Sequence, residues 1–462
     1  MGPEPRFFGA ACAGSAALAG APPAEAGAAG AGGGRAIRCG LCPRRCEIRD
    51  GGFGDCGARG NRGGRGFLPY FGRVTALALD PIEKKPLYHF RPGSQALSVG
   101  FAGCNLRCPF CQNWRISRAL DPPSAQAPAP PSKALPALAA SGGGGASGDP
   151  AAGLPGRSMR PAELVSEARR CGSGAIAYTY SEPLVHAEFL LDCMALARKS
   201  GIAGILVTNG CVCSGPAEEI LSLADAASID LKCFSRAAYE RILAQGAAPG
   251  ALPDGSGGAA GKSAAGASGA AGESSCAAGK SAARAAGGGA GEPAPGEGML
   301  EAVKAFARLA SAKGVHVEVA TLVVPGLSDS PEELDACADF VASLGAGAGG
   351  AEPGDAARLR GGDPWREAPW HLLACRPAHL WKGPPVDSGF LLRARERAAA
   401  KLRFAYAGGF PGGASDTLCP FCGALLVRRL GHGAHAPGLA APKSGGAFFA
   451  CAACGGETRI AR

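Results

Sequence analysis

Ala96-Leu-Ser-Val-Gly-Phe101-Ala-Gly103-Cys104-Asn-Leu-Arg-Cys108-Pro-Phe-Cys111 is the stretch on which the reading of this chain turns. Its first part is a short apolar run of strand length. Its second part is a tight C-x3-C-x2-C loop opened by a glycine. Three thiolates on one loop can each take one iron of a cubane [4Fe–4S] cluster. No fourth cysteine stands within the loop, so one iron would stay open to a small chelating molecule. The competing reading is zinc, but structural zinc usually sits between two C-x2-C knuckles rather than on a triplet. The expectation is therefore a cluster held by Cys104, Cys108 and Cys111.

With 462 residues the chain exceeds one small domain. Its 74 glycines and 37 prolines fall largely in low-complexity stretches, so the folding core is shorter than the chain. Its 20 cysteines gather at metal-ligand spacings, which argues for a reducing cytosol rather than a disulfide framework. No run of about 20 apolar residues is present, so no membrane partner is expected. Arg6, Phe7 and Phe8 faintly resemble a signal peptide, but Gly9, Gly14 and Ser15 dilute the apolar core. Residues 1–34 are read as a disordered tail. The net charge of +9 permits an anionic partner. There is no basic stripe interleaved with aromatics, so nucleic acid is not expected.

Beyond the tail, the expected organisation is a Cys-rich segment over 35–70, a core over 71–408 and a small C-terminal unit over 409–462. Gly/Ala/Pro-rich stretches at about 121–157, 246–298 and 346–364 cannot bury enough surface to order themselves and are read as insertions. Between them strand and helix patterns alternate. Strands are expected at Ala96–Phe101, Gly174–Tyr180, Gly204–Thr208, Ala226–Leu231, Val315–Val324, Trp370–Ala374 and Leu402–Ala407. Helices are expected at Pro161–Cys171 (capped by Ser158), Leu184–Lys199, Ala217–Leu223, Met299–Ala312 and Leu391–Lys401. Another is expected after the capping box Ser330-Pro-Glu-Glu333. The fold class is α/β, a parallel sheet curved into a partial or full (β/α) barrel. Chemistry in such barrels sits at the C-terminal strand ends, where the cysteine loop falls.

Further motifs run in order along the chain. They are Cys39-Gly-Leu-Cys42-Pro-Arg-Arg-Cys46 with Gly54-Asp-Cys56, Asp80-Pro-Ile-Glu-Lys-Lys-Pro-Leu-Tyr-His-Phe90, and Gly103-Cys-Asn-Leu-Arg-Cys-Pro-Phe-Cys-Gln-Asn-Trp114. Ala177-Tyr-Thr-Tyr-Ser-Glu-Pro183, Val207-Thr-Asn-Gly210, Ile229-Asp-Leu-Lys232, Thr321-Leu-Val-Val-Pro-Gly326, Pro369-Trp-His371 and Cys419-Pro-Phe-Cys-Gly423 follow. This series resembles the radical S-adenosylmethionine (SAM) enzymes of the AmmeMemoRadiSam system, relatives of pyruvate formate-lyase activating enzymes. The resemblance implies that SAM chelates the open iron through its amino and carboxylate groups. One electron from the cluster then breaks a C–S bond and releases a 5′-deoxyadenosyl radical, which abstracts hydrogen.

The resemblance also assigns candidate residues. Ser181 and Glu182 look like the family's version of a Gly-Gly-Glu motif that binds the SAM amino group; a plain helix N-terminus is the alternative. Asn209 would contact SAM, against a simple Asn-Gly turn. Asp230 and Lys232 share one side of a strand by period two. In the relatives such a pair lies in the active site and is read here as catalytic, against a surface ion pair. His371 resembles a histidine near SAM, against a core histidine. Here the chain departs from the family, with Leu372, Leu373 and Ala374 where Ser-Arg-Phe is usual. The block Asp80–Phe90 receives no chemical role.

Cys419, Cys422, Cys451 and Cys454 form two C-x2-C knuckles, expected to hold structural zinc in a zinc-ribbon-like unit. Cys39, Cys42, Cys46 and Cys56 could hold zinc or an auxiliary Fe–S cluster, which spacing alone does not separate. The function expected is that of a radical SAM oxidoreductase fed by a one-electron donor such as flavodoxin or ferredoxin. Its substrate is a partner protein or a small molecule. The alternative is a non-enzymatic zinc-rich scaffold or nucleic-acid-binding protein.

Overall fold

In the computed structural model, which describes residues 5–9, 35–121, 156–244, 298–345, 368–441 and 447–462, the expected strands meet in one nine-stranded sheet. Its strands are β1 (Arg73–Pro81), β2 (Gln95–Phe101), β3 (Arg157–Ser158), β4 (Ala175–Thr179), β5 (Ala203–Thr208), β6 (Ala226–Asp230), β7 (His316–Val323), β8 (Trp370–Ala374) and β9 (Ala405–Gly408). The order is β9-β8-β7-β6-β5-β4-β2-β1-β3. From β2 to β9 every pairing is parallel; β1 runs antiparallel to β2, and β3 antiparallel to β1. Among the described residues β9 and β3 are the edges and the sheet is open, which is the partial rather than the full form of the expected barrel.

The parallel strands lie side by side in chain order. Right-handed crossovers taken always in one direction put the connecting helices on one face. These are α1 (Pro161–Arg170), α2 (Ala187–Lys199), α3 (Ser214–Leu221), α4 (Arg236–Ala244), α5 (Met299–Ala312), α6 (Pro331–Ser343) and α7 (Ser388–Ala398). Period-two alternation divides the faces. On β4, Ile176 and Tyr178 join the core that includes Leu164, Phe189 and Leu190 of the helices, while Ala175 and Ala177 face away. Against those small residues pack Ile82, Leu87 and Phe90. The block that sequence left without a role therefore covers the second face of the sheet.

Local starts follow capping chemistry, with two differences from expectation. Ser330 Oγ accepts from Glu333 N–H at 3.1 Å, as a cap should, but Glu333 turns its carboxylate to Phe234 N–H instead of closing the box. The cap of α1 is Arg160 rather than Ser158, because Ser158 is taken into β3; Glu163 accepts from Arg160 N–H at 2.8 Å. Part of the expected tail is also placed. Phe7 is buried, and Phe8 bridges Cys39 with its ring 4.7 Å from the Arg59 guanidinium. Two adjacent aromatics in a Gly/Ala-rich stretch have apolar area to bury where their neighbours have none. Residues 10–34 and most of the three expected insertions lie outside the described residues, as do Cys12 and Cys276.

The C-terminal unit consists of short antiparallel strands. It docks on the 88–91 segment. Ala461 exchanges backbone hydrogen bonds with His89 and Arg91, and Arg429 Nη2 donates to Tyr88 O at 2.6 Å with its guanidinium over the Tyr88 ring.

Candidate active site

The cysteine triplet follows β2 directly. Gly103 opens the loop at φ +96°, and a Cβ there would stand 2.5 Å from the Cys56 carbonyl oxygen. Only glycine allows both the left-handed backbone and that approach. Asn105 then ties the loop to the end of β5. Its Nδ2 donates to Cys211 O at 2.8 Å, and its Oδ1 accepts from Asn209 Nδ2 at 2.8 Å. Asn209 Oδ1 accepts from Cys211 N–H at 2.9 Å. The sulfurs have protein donors of their own. Leu106 N–H points at Cys104 Sγ (3.4 Å), and Ser117 Oγ lies 3.3 Å from Cys111 Sγ.

The end of β4 is stitched to the same loop. Tyr180 sits at φ +71°, a costly conformation for a non-glycine residue, and is held there by its hydroxyl donating to Asp80 Oδ2 at 2.6 Å. Asp80 also pairs with Lys84 and the buried Lys85. Ser181 Oγ donates to Phe101 O at 2.6 Å, and His186 Nε2 lies 2.8 Å from Ala102 O. Glu182 is 2% exposed. Its Oε1 accepts from Thr208 Oγ1 (2.6 Å) and Leu184 N–H (3.1 Å), and its Oε2 from Asn209 N–H (2.8 Å). A carboxylate has about four lone-pair sites, so about one stays open. Burial pushes Glu182 up to about 7, against the pull of Thr208, Asn209 and Leu184.

Asp230 ends β6, and Lys232 follows with Nζ 2.7 Å from Asp230 Oδ2. Burial would lower the Lys232 ammonium, but Asp230 and the Cys108 sulfur hold it above its usual range. Burial pushes the Cys108 thiol up to about 12, opposed by Lys232 and Arg118. Cys104, Cys108, Cys111, Asn209, Glu182, Asp230 and Lys232 thus gather at the ends of β2, β4, β5 and β6. His371 is spent differently. Its Nε2 lies 2.7 Å from Glu318 Oε2, and its ring packs edge-on against Tyr88. Glu318 also accepts from His316 and from the N–H groups of Tyr88 and His89. Burial would raise Glu318, but His316 and His371 hold it well below the usual carboxylate range.

Sequence reasoning missed Asn105, Glu318 and Arg118. Arg118 Nη2 donates to Cys104 O at 2.9 Å, while its buried Nη1 has no partner. By sequence Asn105 reads as a spacer between two cysteines. Glu318 had a signal: an acid inside a β-branched strand is rarely buried unless paired.

Metal geometry separates the cysteine groups. About 2.3 Å from sulfur to a tetrahedral zinc puts neighbouring sulfurs about 3.8 Å apart. Sγ of Cys419 is 3.9 Å from Cys454, and Cys422 is 3.8 Å from Cys451. Among the described residues these four are the one group bringing three or more His, Cys, Asp or Glu ligand atoms within 4.8 Å. The triplet is not part of such a compact group, and thiolates on separate irons need not be. The unpartnered Arg118 donor beside it suits an anionic cluster, so the residues fit the group.

The Radical SAM superfamily model matches residues 98–248. The uncharacterized protein MJ0808 of Methanocaldococcus jannaschii is 30% identical over 397 residues, covering 85% of this chain and 87% of that one. A domain of pyruvate-formate lyase-activating enzyme from Bacteroides vulgatus overlaps 51% of this chain and 98% of its own at 14% identity, with a TM-score of 0.30. SuiB of Streptococcus suis bound to S-adenosylmethionine overlaps 71% of this chain and 55% of its own at 10% identity, with a TM-score of 0.36. This chain therefore spans about half of SuiB, and neither overlap is close enough to carry over residues. The superfamily match falls on the strand and loop that bear the triplet, and the archaeal relative extends along most of both chains: the protein belongs to the radical SAM superfamily.

Proposed function

We infer that this chain is an enzyme that holds a [4Fe–4S] cluster on Cys104, Cys108 and Cys111 and binds SAM at its open iron. When bound, the cluster supplies the electron that cleaves the SAM C–S bond and so starts hydrogen abstraction from a substrate. The observation that carries the reading is the triplet itself: three cysteines on one strand-end loop inside the region matched by the Radical SAM superfamily model, with an unpartnered Arg118 donor beside them.

The surrounding residues take roles by chemistry and position. Glu182 joins the ends of β4 and β5 and keeps a lone pair for the SAM ammonium. Ser181 fixes the turn that presents it, and Asn209 fixes the cysteine loop. Lys232 carries its positive charge beside Cys108, offsetting thiolate charge and standing ready for a carboxylate; Asp230 orients it. His371 acts through Glu318 and positions the floor under β8 rather than touching SAM. A flavodoxin- or ferredoxin-like protein is the donor class, and a partner protein the substrate class we favour by analogy. The four C-terminal cysteines hold zinc, and the gathering of cysteines at metal-ligand spacings favours a reducing cytosol. Among the described residues no helix is long and apolar enough to cross a membrane.

The test is anaerobic. Wild-type protein with a strong reductant should release 5′-deoxyadenosine from SAM, and Cys108→Ala should release none. Undiminished release by the variant overturns the assignment.

A further inference from the structure

Cys39, Cys42, Cys46 and Cys56 come together although they lie on separate turns of a segment with little regular structure. All four line one cavity, together with Arg44, Arg59 and Asn105. Three of the four are buried, and Cys46 is partly exposed. Among the described residues the C-terminal four form a compact candidate group for a single ion, and these four are not in such a group. A single tetrahedral ion draws its sulfurs together, whereas four thiolates on four different irons stand around the wider body of a cluster, as around a cavity.

The charges in the wall agree. A cluster with four thiolates is anionic, and its sulfurs accept hydrogen bonds. Two arginines line the cavity, and each keeps a buried donor without a partner: Nη2 of Arg44 and Nε of Arg59. Arg59 is 1% exposed, and its other nitrogens are both used on Glu188 at 2.7 and 2.8 Å. An unpartnered cationic donor so deeply buried is costly unless an acceptor stands in the cavity. No described side chain supplies one.

The cavity also abuts the triplet loop. Asn105 lines it one residue after Cys104, Arg44 Nε donates to Asn105 O at 2.6 Å, and Gly103 lies against Cys56 O. We propose that Cys39, Cys42, Cys46 and Cys56 hold a second [4Fe–4S] cluster, fully thiolate-ligated and with no iron open to substrate, adjacent to the first. Arg44 and Arg59 donate to its sulfurs.

Metal analysis and Mössbauer spectroscopy of the anaerobic full-length protein test this. The expected content is about eight iron atoms per chain, four for each cluster, with about one zinc for the C-terminal four. Cys104→Ala/Cys108→Ala/Cys111→Ala should keep about four irons, and Cys42→Ala/Cys56→Ala should keep the other four. About four irons with about two zincs in the wild type overturns the second cluster and leaves the proposed function standing. Four irons that survive the triplet variant and vanish from Cys42→Ala/Cys56→Ala does the opposite. Because the wild-type stoichiometry decides by itself, a variant that fails to fold does not rescue the idea. Arg59→Met adds a spectroscopic arm: the cluster that survives in the triplet variant should shift in reduction potential, and an unmoved potential removes Arg59 from its shell.

Discussion

Glu182→Gln separates the burial of this carboxylate from its hydrogen bonding. Oε1 accepts from Thr208 and Leu184, and Oε2 from Asn209. Glutamine keeps one oxygen and puts N–H donors where the other was. With its oxygen at the Oε1 place, the Asn209 N–H meets a donor; with it at Oε2, the Leu184 N–H does. One orphaned buried donor costs about 1–3 kcal/mol. The charge acts with the other sign. Burial moves Glu182 from 4.5 to about 7, which corresponds to about 3 kcal/mol. A carboxyl raised on folding contributes stability that is fully present below pH 4.5 and is lost as pH climbs through about 7. Glutamine does not titrate. Wild type should therefore lose about 3 kcal/mol relative to the variant between about pH 4.5 and pH 8. Urea unfolding of both proteins across that range, under anaerobic conditions, measures the difference. Parallel curves would show that the site does not penalise the charge, and the burial argument would fall. Saturating SAM adds a second reading. An ammonium beside Glu182 draws its pKa back down, so the wild-type slope should flatten with SAM; a slope that ignores SAM removes Glu182 from the amine site.

Gly103→Ala forces a Cβ against Cys56 O at φ +96° and should cost about 3 kcal/mol, lowering the urea midpoint and the iron content together. Arg59→Met removes the ion-pair partner of the buried Glu188 carboxylate, leaving it the Arg6 N–H, and should cost about 3–5 kcal/mol. Arg59→Lys should recover little of this, because the pair is bidentate. Burial would raise Asp80, but Lys84, Lys85 and Tyr180 hold it below the usual carboxylate range, so its contribution is present above about pH 4 and lost as pH falls. Asp80→Asn should therefore flatten the acid limb of the stability curve. Cys419→Ser/Cys454→Ser should lose one zinc per chain by metal analysis while keeping its iron; zinc unchanged would place the ion elsewhere.

Much of the frame was readable along the chain because its signals are local. Apolar runs at Ala96–Phe101 and Ala226–Leu231 gave strands within a residue of those observed, and β-branched Val315–Val324 gave β7. The motifs at 104–111 and 180–183 follow strands and those at 207–210 and 229–232 straddle strand ends, which is why the site could be anticipated. Where local signals competed, reading failed. Ser158 is a good cap by type but was claimed by an edge strand, and the Phe7-Phe8 pair was lost among small residues. The roles of Asp80 and Lys85 could not be read, because the charge run looks like a solvated face until Tyr180 is brought to it from a hundred residues away.

The sequence by itself determined the repeating strand–helix order and the thiolate loop, since periodicity and close spacing act between residues that are already neighbours. Tertiary structure alone decided which carboxylates are spent. Glu318 meets Tyr88 and His371, and Glu182 meets Thr208, only once parallel pairing has set the strands in register. It also decided which cysteines meet: the C-terminal four close on one another and the N-terminal four line one cavity, because that depends on how distant turns pack and spacing along the chain does not carry it.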